Sequence, residues 1–390
     1  MASISMTDPM LARLWELAWL FLKLGAVSFG GPAAHIAMME EEVVRRREWL
    51  LREEFLDLLG ATNLIPGPNS TELAIHIGHR RAGWAGLLVA GLCFILPAAL
   101  LVTAVGWAYT RFGSLPQAGV LLSGVKPVMV VVVVQALWGL GRSALKTKGL
   151  AALGAASVAA SFLGVHELAV LFGAGLWAVS LGAWRSQTLP GAGARLLVVA
   201  PVVPWGEPAL PAVVFGLGKL FLFFLKVGSV LFGSGYVLLA FLRVDLVDRW
   251  GWLSEGQLLD AIAVGQLTPG PVFTTATFIG YVLSGLPGAA VATLGIFLPA
   301  FVFVAISGPL IPLLRKSRPA GAFLDGVNVA SFALMAVVTC QLGRHAVADW
   351  GGVALAVASG IGLFRYRVNS AWLVLGGLAV GLLRVQFGGG

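Results

Sequence analysis

With 390 residues, 58% of them hydrophobic and only 11% charged, and a mean hydropathy of +0.91, the chain has too little polar surface to cover a soluble globule of its size. Its formal charge of +8 sits mostly in short connections between apolar runs, where membrane orientation accounts for it, so nucleic acid is excluded as a partner. Cys93 and Cys340 fall inside apolar segments with no CxxC or Cys/His spacing, which removes disulfide, zinc and redox readings and leaves both as small core residues.

In chain order, a long apolar helix is predicted over 11–32; Asp8 rather than a basic cluster precedes it, so it is not read as a cleaved leader. Lys23 follows Arg13 by about 15 Å of helix, near the bilayer centre, where an ammonium costs roughly 2.5–3.5 kcal/mol. A charged connector covers 40–54. The next segment is interrupted by Pro66-Gly67-Pro68, where proline lacks the amide donor and the preceding residue avoids the helical conformation. Asn69-Ser70-Thr71 offers N-cap residues for a restart. Two long helices follow, then a short helical pair at 149–164 and 168–184.

The whole pattern then returns. Phe21-Leu22-Lys23-Leu24-Gly25 recurs as Phe224-Leu225-Lys226-Val227-Gly228, and Pro66-Gly67-Pro68 as Pro269-Gly270-Pro271, both at an offset of 203. After one deletion the offset is 202, as in Leu96-Pro97-Ala98 with Leu298-Pro299-Ala300. Such a repeat divides the chain into halves at 1–190 and 211–390, joined by a Pro/Gly-rich linker at 191–210. The second half carries a helix at 214–239, a connector at 243–256 and a short pair at 350–364 and 371–388.

Loop charges set the orientation. Arg45-Arg46-Arg47-Arg52, Arg80-Arg81, and Arg142 with Lys146 and Lys148 are all expected on the cytoplasmic face, which requires 55–78 to enter and return on one side as a re-entrant hairpin. In the second half the basic cluster moves to Arg315-Lys316-Arg318, so the copies are predicted to be inverted. The expected fold is an all-α polytopic membrane protein of about ten spanning helices plus two hairpins, with both termini outside.

The chemistry concentrates at the breaks. A helix restarting there directs amide groups and its positive end at the break, a geometry that binds oxyanions. The substrate-binding set read from the sequence is Lys23, Asn63, Gly67, Asn69, Ser70 and Thr71, with Lys226, Gln266, Gly270 and Thr274 from the second copy. Asp57 and Asp260 are counter-ions to the lysines or proton carriers, and Glu72 and His76, four apart on one helix face, form either a proton relay confined to the first half or a helix-pairing or capping contact. Lys126 is placed beside the pathway and His35 at the membrane edge. Two ligands do not make a metal site, no cofactor motif is present, and the absence of a Walker motif or nucleophile–base pair argues against ATP-driven pumping and enzymatic activity.

Ser28-Phe29-Gly30-Gly31-Pro32, Trp49-Leu50, Pro66-Gly67-Pro68 with Ile77-Gly78, and Leu96-Pro97-Ala98, each with a second-half partner, resemble the chromate ion transporter family in its long, two-domain form. The resemblance implies a proton-gradient-driven secondary transporter of the inner (plasma) membrane. It implies export of chromate, with sulfate as a close analogue; the inverted repeat adds alternating access between the halves, and an uncoupled anion channel is the alternative. Its partners are then the oxyanion, protons and the lipid bilayer, and a homodimer is compatible with it. Asn63 departs from the glutamine that the family often carries there, and that Gln266 keeps.

Overall fold

The computed structural model describes residues 9–29, 31–112, 123–186, 215–232, 237–346, 350–366, 368 and 370–387, and every regular element among them is helical. The first half contains α1 (Pro9–Val27), α2 (Gly31–Glu40) running into a π-helical turn (Glu41–Arg46), α3 (Arg52–Thr62), α4 (Asn69–Phe112), α5 (Val125–Ala144), α6 (Lys148–Phe162) and α7 (Glu167–Ser186). The second half contains α8 (Leu217–Val230), a helical segment Leu238–Phe241 continued by the π-helical Leu242–Arg249, α9 (Glu255–Leu267), α10 (Thr275–Lys316), α11 (Arg318–Ala346), α12 (Trp350–Phe364) and α13 (Ser370–Phe387).

The single helix expected over 11–32 is in fact two. Gly31 has φ +76°, a conformation that glycine adopts without strain, and α1 stops at Val27. Its partner expected over 214–239 likewise stops at Val230, and 233–236 lie outside the described residues. Ending early leaves carbonyls without an intrahelical donor, and these carbonyls become functional below.

Both α4 and α10 are two helical arms folded at a positive-φ glycine: Gly83 (φ +60°, ψ −146°) and Gly285 (φ +61°, ψ −149°). The arms meet where side chains are absent, since a Cβ on Gly78 would overlap the backbone of Gly86, and one on Gly280 that of Gly288. The outer arm of α4 carries an exposed stripe of Leu88, Leu92, Leu96 and Leu100 between the exposed Trp84 and Trp107. The two tryptophans are about 35 Å apart along the helix, matching an apolar band with an aromatic belt at each edge. By length and composition, Asn69–Phe112, Val125–Ala144, Val272–Ser307 and Arg318–Gly343 are long and apolar enough to cross a membrane.

The halves are interlocked. α1 packs on α4 and α8 on α10, but α6 and α7 pack on α11 of the other half, and α12 and α13 pack on α5. α5 and α11 occupy equivalent places in the repeat and run antiparallel. Val130 faces Gly343 at one end of the contact, Gly141 faces the Phe332 ring at the other, and Lys146 just past α5 pairs with Asp325 near the start of α11 at 2.9 Å. One hydrophobic cluster belongs to the first half (Leu17, Phe21, Phe55, Leu73, Phe94), while the larger one draws on both (Met129, Val132, Phe224, Phe278, Met335). Cys93 is half-buried and Cys340 exposed, so the expectation that both are core residues fails for Cys340, which faces outward from α11.

Candidate functional site at the two helix breaks

Proline ends α3 and α9 as its chemistry requires, and the glycine between the prolines takes a positive φ in both copies, +137° at Gly67 and +88° at Gly270. Each break is docked onto the other half. The Gly67 amide donates to the Leu231 carbonyl at 2.8 Å, and the Gly270 amide donates to the Ser28 carbonyl at 2.9 Å. Leu231 is Ser28 shifted by the repeat offset, so one contact is made twice, reciprocally, as a two-fold relation demands. The acceptors are the carbonyls released where α1 and α8 end early. A Cβ on Gly270 would come within 2.8 Å of the Gly25 carbonyl oxygen and 2.7 Å of the Ala98 side chain, which no larger residue tolerates.

Consequently the two glycine amides are spent on protein carbonyls rather than left for an anion. At the restart, the amides of Thr71 and Glu72 donate to the Pro68 carbonyl at 2.7 and 3.0 Å, and that of Thr274 to Pro271 at 3.0 Å. The side chains at the two breaks differ. Buried polar atoms without a hydrogen-bond partner include Ser28 Oγ, Asn69 Oδ1, Thr71 Oγ1, both carboxylate oxygens of Glu72, and His76 Nε2. All belong to the first half and surround its break. In the second copy, the Thr274 and Thr275 hydroxyls donate to Pro271 and Val272 carbonyls, and Gln266 is buried and bonded.

Glu72 is fully buried, and a Cβ on Gly67 would overlap its carboxylate, so glycine there leaves the space that the carboxylate fills. An unpaired polar group so placed costs on the order of 1–3 kcal/mol, and an unpaired charge more, which marks the position as held for a reason other than packing. His35 is not at the membrane edge as expected. It is 1% exposed, with Nδ1 3.3 Å from Ser70 Oγ and Nε2 3.1 Å from the Ser28 carbonyl, and so ties the break to the end of α1. Asn63 is exposed at the rim, accepting from Asn69 Nδ2 at 2.8 Å.

The two lysines are ion-paired, Lys23 with Glu42 at 2.9 Å and Lys226 with Asp245 at 2.5 Å. Their counter-ions are therefore the connector carboxylates, also one repeat offset apart, and not Asp57 or Asp260. Glu42 also takes Arg47 at 3.4 Å, and Asp245 takes Arg249 at 2.8 Å. The hydrogen bond from Lys23 holds the Glu42 carboxyl below its ordinary value. Lys23 is not enclosed, because its side chain is 44% exposed. Asp57 is exposed, whereas Asp260 is buried between the halves, accepting from the Tyr109 hydroxyl at 2.9 Å with Lys126 at 3.6 Å. Glu72 and His76 share a helix face but no hydrogen bond joins them.

Sequence reasoning missed Glu42, Asp245 and Tyr109. The first two were findable, being acidic at matched repeat positions; Tyr109 has no such signal.

The sequence model of the family described as Chromate transporter matches residues 15–179 and again 218–382. The chain belongs to the chromate transporter family. This chain is similar to a chromate transport protein of Cupriavidus metallidurans, 31% identical over 94% of this chain and 92% of that one, and to another of Pseudomonas aeruginosa, 33% identical over 83% and 80%. A protein named probable chromate transport protein in Synechococcus elongatus is 31% identical over 86% of both chains. No solved structure matches. Family and apolar helices together make this chromate transporter family member a multi-pass membrane protein.

Proposed function

We propose that the protein is a secondary transporter that exports chromate across the plasma membrane, coupled to protons, with sulfate or a related oxyanion as the alternative substrate. The observation that carries this reading is the group of open buried valences around the first-half break, beside a joint made reciprocally by both halves. Ser28, Asn69, Ser70, Thr71 and Glu72 bind the oxyanion there, with Gly67, Asn63 and the second-copy residues Gln266, Gly270 and Thr274 completing the walls.

A carboxylate cannot sit within hydrogen-bond reach of a dianion in low dielectric without strong repulsion. Glu72 therefore carries a proton when the site is loaded, which ties anion occupancy to proton occupancy, and His76 on the same face exchanges that proton. Lys23 and Lys226 contribute positive potential in competition with Glu42 and Asp245. Asp260, bridging the halves to Tyr109 and Lys126, belongs to the closed contact between them, and Asp57 holds the matching position in the first copy.

The antiparallel docking of α5 on α11 supports an inverted repeat. The ion pair of Arg80 with Glu54 at 3.1 Å, joining the last turn of the inner arm of α4 to the first turn of α3, supports a hairpin that enters and leaves on one side. Ten crossings, two hairpins and external termini remain the proposed topology, and access alternates by rocking the halves about the Gly67–Leu231 and Gly270–Ser28 joints.

The test is flux of labelled chromate and labelled sulfate into vesicles holding the purified protein, with and without an imposed pH gradient. Saturable, gradient-sensitive flux is expected. Flux that neither saturates nor responds to pH identifies an uncoupled pore, and no flux of either anion removes the proposal.

A further inference from the structure

At the foot of the first-half hairpin lies a cavity of about 240 Å³ lined by Arg13, Arg80 and Arg81, with Glu54, Trp49 and Ile77 completing its wall. We propose that this cavity is an oxyanion capture site that loads the buried site from the basic, cytoplasmic face. It rests on the transport reading above and adds to it a second site, a route and a sidedness.

Three guanidinium groups meet two carboxylates, Glu54 in the lining and Glu16 beside it, so the cavity keeps one positive charge unmatched. Arg80 pairs with Glu54 and Arg81 with Glu16 at 3.0 Å, while Arg13 has no partner among the described residues. Arg81 lies over the Trp49 ring at 4.8 Å, and its Nε is buried without an acceptor. A planar guanidinium held against an indole is oriented for a carboxylate- or sulfate-like oxygen.

The duplicated fold supplies an internal control. The positions equivalent to Arg13, Arg80 and Arg81 are Gly216, Val282 and Leu283, although Trp49 keeps its counterpart Trp252. There Phe215 packs edge-on against Trp252 at 5.0 Å instead. The same backbone thus forms without the arginines, so packing does not account for them. A line of polar side chains also runs on one side only. Arg80, His76 and Glu72 follow one another at four-residue spacing along a single face of the inner arm, carrying polar groups about 12 Å from the cavity to the break. The second copy has Val282, Phe278 and Thr275 on the corresponding face, allowing for the deletion.

The test compares Arg13→Gln, Arg81→Gln and the charge-keeping Arg81→Lys with Arg365→Gln, an exposed arginine elsewhere, in chromate flux at varied concentration and ionic strength. Capture predicts that Arg13→Gln and Arg81→Gln raise the apparent KM roughly three- to tenfold, with the limiting rate within about twofold, and flatten the salt dependence. Arg81→Lys recovers most of the loss, and Arg365→Gln matches the wild type. Because Arg13 bonds nothing among the described residues, its variant tests the site without a folding defect. Unchanged KM and salt dependence in Arg13→Gln and Arg81→Gln overturn the proposal.

A lipid phosphate has the same chemistry as a free oxyanion, so the measurements are repeated in phosphatidylcholine vesicles with and without phosphatidylglycerol. If Arg13→Gln only releases bound phosphatidylglycerol and leaves KM in neutral vesicles untouched, the cavity holds lipid and the capture role falls. Should the wild type move neither anion, the transport reading fails on its own. Equilibrium binding of labelled sulfate to purified protein then decides the cavity: weaker binding in Arg13→Gln sustains it, and equal binding removes it.

Discussion

Glu72 is the side chain whose placement is hardest to explain by packing, because its carboxyl is fully buried with neither oxygen bonded and its repeat counterpart is Thr275. Glu72→Gln keeps the shape that fills the space over Gly67 and removes the titrating proton. Flux in that variant is expected to lose its response to an imposed pH gradient while chromate–chromate exchange persists, measured by counterflow; a retained pH response would acquit Glu72. The lysines call for a different design. Lys23 is ion-paired with Glu42 at 2.9 Å, so a single substitution there disturbs the pair as well as any contact with the anion. If Lys23 serves the anion, flux falls at least about tenfold in Lys23→Ala and stays low in Lys23→Ala/Glu42→Ala. Recovery in the double variant would assign the pair to holding the connector against α1. The pH dependence separates these roles further. Glu42 is held below its ordinary value, so its contribution to stability is complete above the ordinary carboxyl range and is lost only as pH falls through its lowered value. A change in flux near neutrality therefore belongs to another group.

Among the elements, what the sequence could convey was set by period and by proline. Apolar runs and the Pro-Gly-Pro breaks announce helices and their interruption, because both act through neighbours in the chain. The apolar run would carry one helix to Pro32, whereas α1 ends at Val27 and α2 begins at Gly31 with a positive φ. The folded arms of α4 and α10 were likewise invisible as close contacts, although the glycines that permit them were in view. Gly25 shows the cost of filling such a place: a Cβ there would overlap the backbone of Phe94, which cannot rotate away. Gly25→Val is expected to destabilise by about 1–3 kcal/mol or to prevent accumulation of the protein in the membrane. Gly139→Ala, in α5 with nothing within 4 Å of the added carbon, is expected to be neutral or to gain up to about 1 kcal/mol from helix propensity. Thermal midpoints in detergent compare the two.

Across the whole molecule the decisive relation is the antiparallel docking of equivalent helices. If the halves are inverted, matched positions face opposite sides of the membrane. In a Cys93→Ala/Cys340→Ala background, Leu51→Cys and its counterpart Ser254→Cys are expected to react with an impermeant thiol reagent from opposite sides. Labelling from one side would reject the inversion. Composition, duplication and the broken helices were determined by the sequence alone, because each depends on residue type and on spacing along the chain. Only the tertiary structure decided that Gly67 meets Leu231 and Gly270 meets Ser28, that the lysines go to Glu42 and Asp245, and that Ser28, Asn69, Thr71, Glu72 and His76 bring unsatisfied side-chain atoms to the first-half break. Those pairings join residues that no periodicity relates, and they form because two halves of one repeated fold bury complementary surfaces while the side chains that differ between copies break the symmetry.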